Sequence, residues 1–152
     1  MILDQKVIVP APPDRVWDFV MDVPKVAECV PGVESVDRLS DDEYLGALKV
    51  RVGPIGVRLE GKVTVVERNA DERRAQMKVE AADKRIKGAV NAKSTMQLVP
   101  LDDGTTELAV HTDAAILGKL GEFGQAIMRR KADQIMKEFA DNMSKRIQAT
   151  DA

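Results

Sequence analysis

Apolar and polar residues alternate along this chain with two different periods, and the change of period divides it. From Val33 to Ala115 the repeat is two. Tyr44, Gly46, Leu48, Val50 and Val52 alternate with Glu43, Lys49 and Arg51, and Val57, Leu59, Gly61, Val63 and Val65 with Arg58, Glu60 and Lys62. Such alternation predicts strands with one buried and one solvated face. Ala75, Met77, Val79 and Ala81 oppose Gln76, Lys78 and Glu80 in the same way; Val90, Ala92, Ser94, Met96 and Leu98 oppose Asn91, Lys93, Thr95 and Gln97. Gly53-Pro54-Ile55-Gly56 and Asp102-Asp103-Gly104 are turn signals, the second leading into a last strand from Thr105 to Ala115. With the shorter runs Met1–Val9 and Val33–Leu39, seven strands are predicted. Their hairpin-length connections make the sheet antiparallel.

Elsewhere the period is that of a helix. Pro12, Pro13 and Asp14 open a short helix with Val16, Trp17, Val20 and Met21 on one side, because proline fits a first turn and an acid suits the positive end of the helix dipole. Asp22 and Pro24 open a second, which stops at Pro31-Gly32. From Gly118 to Gln148 the apolar residues Leu120, Ile127, Met128, Ala132, Ile135, Phe139, Met143 and Ile147 fall three or four apart, predicting one long helix. At about 1.5 Å per residue it spans about 45 Å, enough to cross the whole sheet. Gly118, Gly121 and Gly124 recur every three residues on one side of that helix, each at a cost of about 1 kcal/mol against alanine. Either something packs closely against them, or they leave room for a ligand.

The resulting fold class is α+β: a seven-stranded curved antiparallel sheet wrapped around a long C-terminal helix, with two short helices after the first strand. At 152 residues the chain is read as one domain, 1–152. Its net charge of −2, with acids and bases interspersed, excludes a general nucleic-acid-binding field. Cys29 is the only cysteine, so neither an internal disulfide nor a zinc cluster is available. The N-terminus reads as neither signal peptide nor membrane span, and a cytoplasmic protein is expected, with peripheral membrane contact left open. Arg129-Arg130-Lys131, Lys137, Lys145 and Arg146 give the long helix a basic outer side. That side is either simply solvated or makes weak contact with anionic lipid or an acidic partner.

Catalytic constellations are scarce. His111, the only histidine, shares its alternation phase with Glu107 and Asp113, which places it on the solvated face. Cys29 reads as a small buried thiol. The glycines at 118, 121 and 124 lack the Lys-Ser/Thr of a phosphate loop. No catalytic residue, metal or resident cofactor is therefore expected.

The inward sheet positions include the small residues Gly46, Gly61, Ala75, Ala81, Ala92 and Ser94. An interior packed to ordinary density must offset these with bulk or with something else. Only five aromatic residues are available, with seven methionines partly replacing them. Methionine is an adaptable filler, equally at home in plain core and on surfaces that accept varied apolar partners. If a cavity exists, its candidate lining is Tyr44, Leu48, Val50, Leu59, Val63, Met77, Val79, Ser94, Met96, Leu98, Leu120, Gly121, Gly124, Ile127 and Met128. Its mouth is Val30, Pro31, Gly32, Pro54 and Ile55. Tyr44 and Ser94 are the inward hydroxyls, able to bond a ligand carbonyl or a backbone group.

Several stretches also resemble a known family: Ala11-Pro12, Val16-Trp17, Asp22, Cys29-Val30-Pro31-Gly32-Val33, Val52-Gly53-Pro54-Ile55, Gly61 and Leu117-Gly118-Lys119-Leu120-Gly121. They are similar to the carbon monoxide dehydrogenase G-subunit (CoxG) proteins of the SRPBCC, START and polyketide-cyclase helix-grip superfamily. The family's glycines before the sixth strand are mostly replaced here by Ala81 and Ala82, with Gly88 retained. The resemblance implies a cavity between sheet and helix that takes a lipophilic ligand. It further implies an accessory role, with quinone handling and membrane recruitment, for a molybdenum hydroxylase of the carbon monoxide dehydrogenase type. The membrane-reaching tail that many such proteins carry would lie beyond Ala152. Expected on this basis is a non-enzymatic binder of a hydrophobic small molecule, a quinone above all. The alternatives are a cyclase- or hydratase-like enzyme working through Tyr44 or Ser94, and an assembly factor acting through its surface.

Overall fold

The structure is a computed structural model, and it describes residues 1–150. Asp151 and Ala152, the end of the span read as one domain, lie outside the described residues. Strands β1 (Ile2–Val9), β2 (Val33–Arg38), β3 (Glu43–Val52), β4 (Ile55–Asn69), β5 (Arg74–Asp83), β6 (Gly88–Pro100) and β7 (Thr106–Gly118) form one sheet. Its order is β1-β7-β6-β5-β4-β3-β2, antiparallel throughout, with β1 and β2 at its edges. Helices α1 (Pro13–Val20) and α2 (Val23–Cys29) follow β1, as expected. Proline stands in the first turn of each, and the Asp22 carboxylate caps α2 by accepting from the Lys25 N–H at 3.3 Å.

The long helix differs from its sequence reading. β7 continues to Gly118, a 3₁₀ turn occupies Lys119–Phe123, and helix α3 runs only from Gln125 to Thr150. The reason lies in the backbone at the flanking glycines. Gly118 and Gly124 have φ of +65° and +87°, left-handed values that glycine adopts without penalty and that no α-helix contains. The three glycines thus do not notch one side of a helix. Two of them punctuate it, and Gly121 lies inside the 3₁₀ turn.

α3 starts beside β1, where Arg129 Nη1 donates to Ile2 O at 2.8 Å, and ends over α1, where Arg15 Nη2 donates to Ile147 O at 2.7 Å. Asn142 Nδ2 ties it to α2 through Cys29 O at 2.9 Å. The core falls into two clusters at opposite ends of the concave face. One joins Val9, Ala11, Val16, Cys29, Leu98, Leu108, Met143 and Ile147, with Trp17, Phe19 and Phe139 packed on it. The other joins Val52, Val57 and Leu120, with Val50, Leu59, Ile86, Val90, Phe123 and Met128 around them.

The second end is also held by polar contacts. Asp83 is buried, and its carboxylate accepts from the backbone N–H groups of Arg58 (2.9 Å), Arg85 (2.9 Å) and Ile86 (3.3 Å), while Arg85 Nη2 reaches Gly56 O at 2.5 Å. The β5–β6 turn is thereby fastened to the β3–β4 turn. The hydrogen bond from Arg58, with those from Ile86 and Arg85, holds the Asp83 carboxyl below the usual aspartate range against the opposing effect of desolvation.

Gly61 corrects a second expectation. Its small size reads from sequence as room for a ligand, but a Cβ there would lie 2.0 Å from Glu80 O and 2.5 Å from Ala81 Cα. The residue is small because β5 passes too close for anything larger.

Candidate functional site

The concave face is read most directly along its cross-strand rows. Val65, Met77, Ser94, Thr112 and Leu3 are successive register partners across five strands. Leu3, at the β1 end of this row, is 7% exposed beneath the side where α3 docks; Met77, on β5, is 41% exposed. β5 is the central strand of the seven, and Met77 faces the same way as the buried rows to either side. The opposite face of the sheet carries Gln76, Lys78, Glu80, Lys93 and Thr95. Met77 is therefore an open methionine at the centre of the concave face, left largely uncovered by α3.

The candidate residues separate into groups. Leu98 is buried in the first core cluster with Met96 against it, while Val50, Leu59, Leu120 and Met128 belong to the second. Between these packed ends lie Leu48, Val63, Val79 and Ser94, all partly buried, with Met77 open among them. Val63 and Val79 are direct partners, and Tyr44 continues their row on β3. Ile127 points out at 41% exposure. Gly121 and Gly124 line a small opening of about 230 Å³ beside Met1, Ala114, Leu117 and Gln125. Of the mouth residues, Val30 and Pro31 are partly buried, and Gly32, Pro54 and Ile55 are exposed. A larger surface groove of about 460 Å³ runs between the β1 edge and α3.

Both hydroxyls expected to face inward already have partners. Ser94 Oγ and Thr112 Oγ1 are 2.8 Å apart and share a hydrogen bond. The hydroxyl of buried Tyr44 is 3.5 Å from Asp41 O, at the outer limit of a hydrogen bond, so its proton is weakly engaged. The same Asp41 carbonyl accepts from Arg68 Nη2 at 2.8 Å, and Arg68 also pairs with the Asp42 carboxylate. Arg68 pairs with Ala75 in the concave row that continues to Met96, and so brings a guanidinium to that end of the site. Simple alternation hides it, because a bulge between Val65 and Glu67 reverses which residues face inward. The Val65-Val66 doublet is the signal in the sequence.

The histidine and the cysteine lie elsewhere. His111 is exposed on the convex face, its Nδ1 2.5 Å from Asp4 Oδ1. Cys29 is buried, and desolvation pushes its thiol pKa up, with Glu28 adding to the effect and Arg146 opposing it. Among the described residues no cluster of three or more His, Cys, Asp or Glu has metal-binding geometry, and no helix is long and apolar enough to cross a membrane. Between the two core clusters the concave face thus presents Leu48, Val63, Met77 and Val79, with the paired Ser94 and Thr112 hydroxyls in the same row as Met77.

The comparisons agree with this architecture. The family model for the carbon monoxide dehydrogenase G-subunit (CoxG) matches residues 6–148. A conserved protein from Geobacillus kaustophilus is similar in structure, with a TM-score of 0.90 at 20% identity over 99% of this chain and 97% of that one. A START superfamily protein from Mycobacterium smegmatis has a TM-score of 0.71 at 13% identity, covering 98% of both chains. A norcoclaurine synthase from Thalictrum flavum, crystallised with a transition-state analogue, has a TM-score of 0.71 at 14% identity over 100% of this chain and 96% of that one. At these identities the structural likenesses establish the START-like helix-grip fold alone. No curated protein matches the sequence.

Proposed function

The chain belongs to the CoxG family, that of the carbon monoxide dehydrogenase G-subunit, and from that premise we propose that it binds a lipophilic molecule, a quinone, over the centre of its concave sheet face. It does so as an accessory and membrane-recruitment factor of a molybdenum-containing dehydrogenase of the carbon monoxide type. The observation that carries the binding reading is Met77, open at 41% on the central strand between two packed core clusters. An apolar floor left to water gains stability when an apolar ligand covers it, at about 25 cal/mol per Å² of surface removed from water. Leu48, Val63, Met77 and Val79 would contact the ring and chain. The weakly engaged Tyr44 hydroxyl, or the Ser94–Thr112 pair, would donate to a quinone carbonyl. Arg68 stands beside Tyr44, its charge balanced by Asp42, and would polarise the same end.

The partner assignment rests on the family alone. Binding without chemistry is favoured because the polar groups over the floor are hydroxyls and a paired guanidinium, with no acid/base couple among those described. The test is titration with a short-chain quinone, followed by native mass spectrometry and by fluorescence of Trp17, which packs against the first core cluster. A stoichiometric complex weakened by Met77→Trp, which fills the gap, is expected. Absence of any quinone complex would refute the reading.

A further inference from the structure

We propose that two copies of this chain pair through the open edges of β1, antiparallel about a two-fold axis at Gln5, to join their sheets into one. β1 ends the sheet and is bonded to β7 on one side only. Met1 and Ala114 exchange both backbone bonds, Met1 N donating at 2.8 Å and Ala114 N at 2.9 Å. In an antiparallel ladder bonding direction alternates by residue, so the odd residues of β1 face β7 and Ile2, Asp4, Lys6 and Ile8 face outward. The Arg129 bond to Ile2 O approaches from that outer side. A carbonyl has a second lone pair, so this contact does not close the edge.

The same four residues expose their side chains, Ile2 at 44% and Ile8 at 55%. Ile2 and Ile8 are apolar side chains on a free edge, which templates further pairing, whereas Asp4 and Lys6 between them are charges that block it unless each meets its opposite. A groove of about 460 Å³ runs between β1 and Asp133, Met136 and Lys137 of α3, crossed by the bond from Gln5 Nε2 to Asp133 Oδ1 at 2.9 Å; an added strand would lie beside β1 in the plane of the sheet, next to this groove.

The occupant follows from the order of side chains along the edge, which is apolar, acid, base, apolar. Outward-facing residues must meet outward-facing residues, which leaves three central registers for self-pairing. One centred on Asp4 sets the two Asp4 carboxylates against each other, and one centred on Lys6 does the same with two ammonium groups. Like charges directly opposite are destabilising. The register centred on Gln5 sets Ile2 against Ile8 of the second copy and Asp4 against its Lys6, so every outward pair is matched. The edge is complementary to itself in that one register, as a two-fold interface requires.

The test uses sedimentation velocity on the whole protein and on K6D and D4K, with circular dichroism to verify folding at these exposed positions. The wild type is expected to dimerise reversibly. Each variant alone should weaken dimerisation by about tenfold or more, since it sets like charges opposite each other. Mixing K6D with D4K should restore a heterodimer, because acids on one copy then meet bases on the other. A wild type that stays monomeric, variants that dimerise normally, or a mixture that stays monomeric would each overturn the proposal.

Discussion

Replacing two methionines of this sheet-and-helix core by alanine should have very different consequences for stability. Met143 on α3 is 0% exposed in the first core cluster; Met77 on the central strand is 41% exposed. Met143→Ala removes a fully buried side chain and leaves a cavity, and such changes cost about 2–5 kcal/mol. For Met77 the transfer term is smaller. Full burial of a methionine is worth about 1.5–3 kcal/mol, little more than half of it is realised here, and alanine keeps a share. No dry cavity forms, because water already reaches the site, so the expected cost is about 1 kcal/mol. Urea unfolding followed by tryptophan fluorescence separates the two. At a slope of about 2 kcal/mol/M the midpoints should differ by about 1 M. Equal losses would mean that the centre of the concave face is packed, and the reasoning that makes it a binding floor would fail.

Two further outcomes follow from the turns. Gly118→Ala places a Cβ 2.1 Å from Lys87 O at a φ of +65°, whereas Gly124→Ala meets nothing within 4 Å at +87°. Thermal unfolding should show Gly124→Ala losing about 1–2 kcal/mol from backbone strain alone, and Gly118→Ala losing distinctly more. Asp83 has its folded pKa held down, so the stability it supplies is present above the unfolded value of about 3.9 and is lost as pH falls through the folded value. Asp83→Asn should destabilise the protein at neutral pH and flatten the fall of the urea midpoint below about pH 4, where an unchanged acid limb would argue against the role.

Much of this fold was legible because one face of the sheet is solvated. Lys, Arg and Glu between apolar residues mark the strands from Glu43 to Val65 and from Arg74 to Leu98, and Asp22 with Pro24 marks α2. What could not be read depends on distance and on backbone angle. Glycines at 118, 121 and 124 fit one side of a helix as well as two left-handed hinges around a 3₁₀ turn; the φ values of Gly118 and Gly124 decide between them. Gly61 looks like spare volume until β5 is seen to pass beside it. Arg68 is invisible to alternation because the bulge after Val65 shifts the phase. Met77 was legible as an inward residue, but its openness depends on how far α3 reaches over the sheet. That reach is set by contacts at the ends of α3, from Arg129 to Ile2 and from Arg15 to Ile147.

The central claim is that a lipophilic molecule covers the centre of the concave face. A crystal structure of the protein grown with a short-chain quinone tests it most directly. Quinone density lying over Val63, Met77 and Val79, with a carbonyl within hydrogen-bond distance of Tyr44 or Ser94, is the expected result. A quinone found only elsewhere, or a Met77 surface filled by side chains of α3, would contradict it.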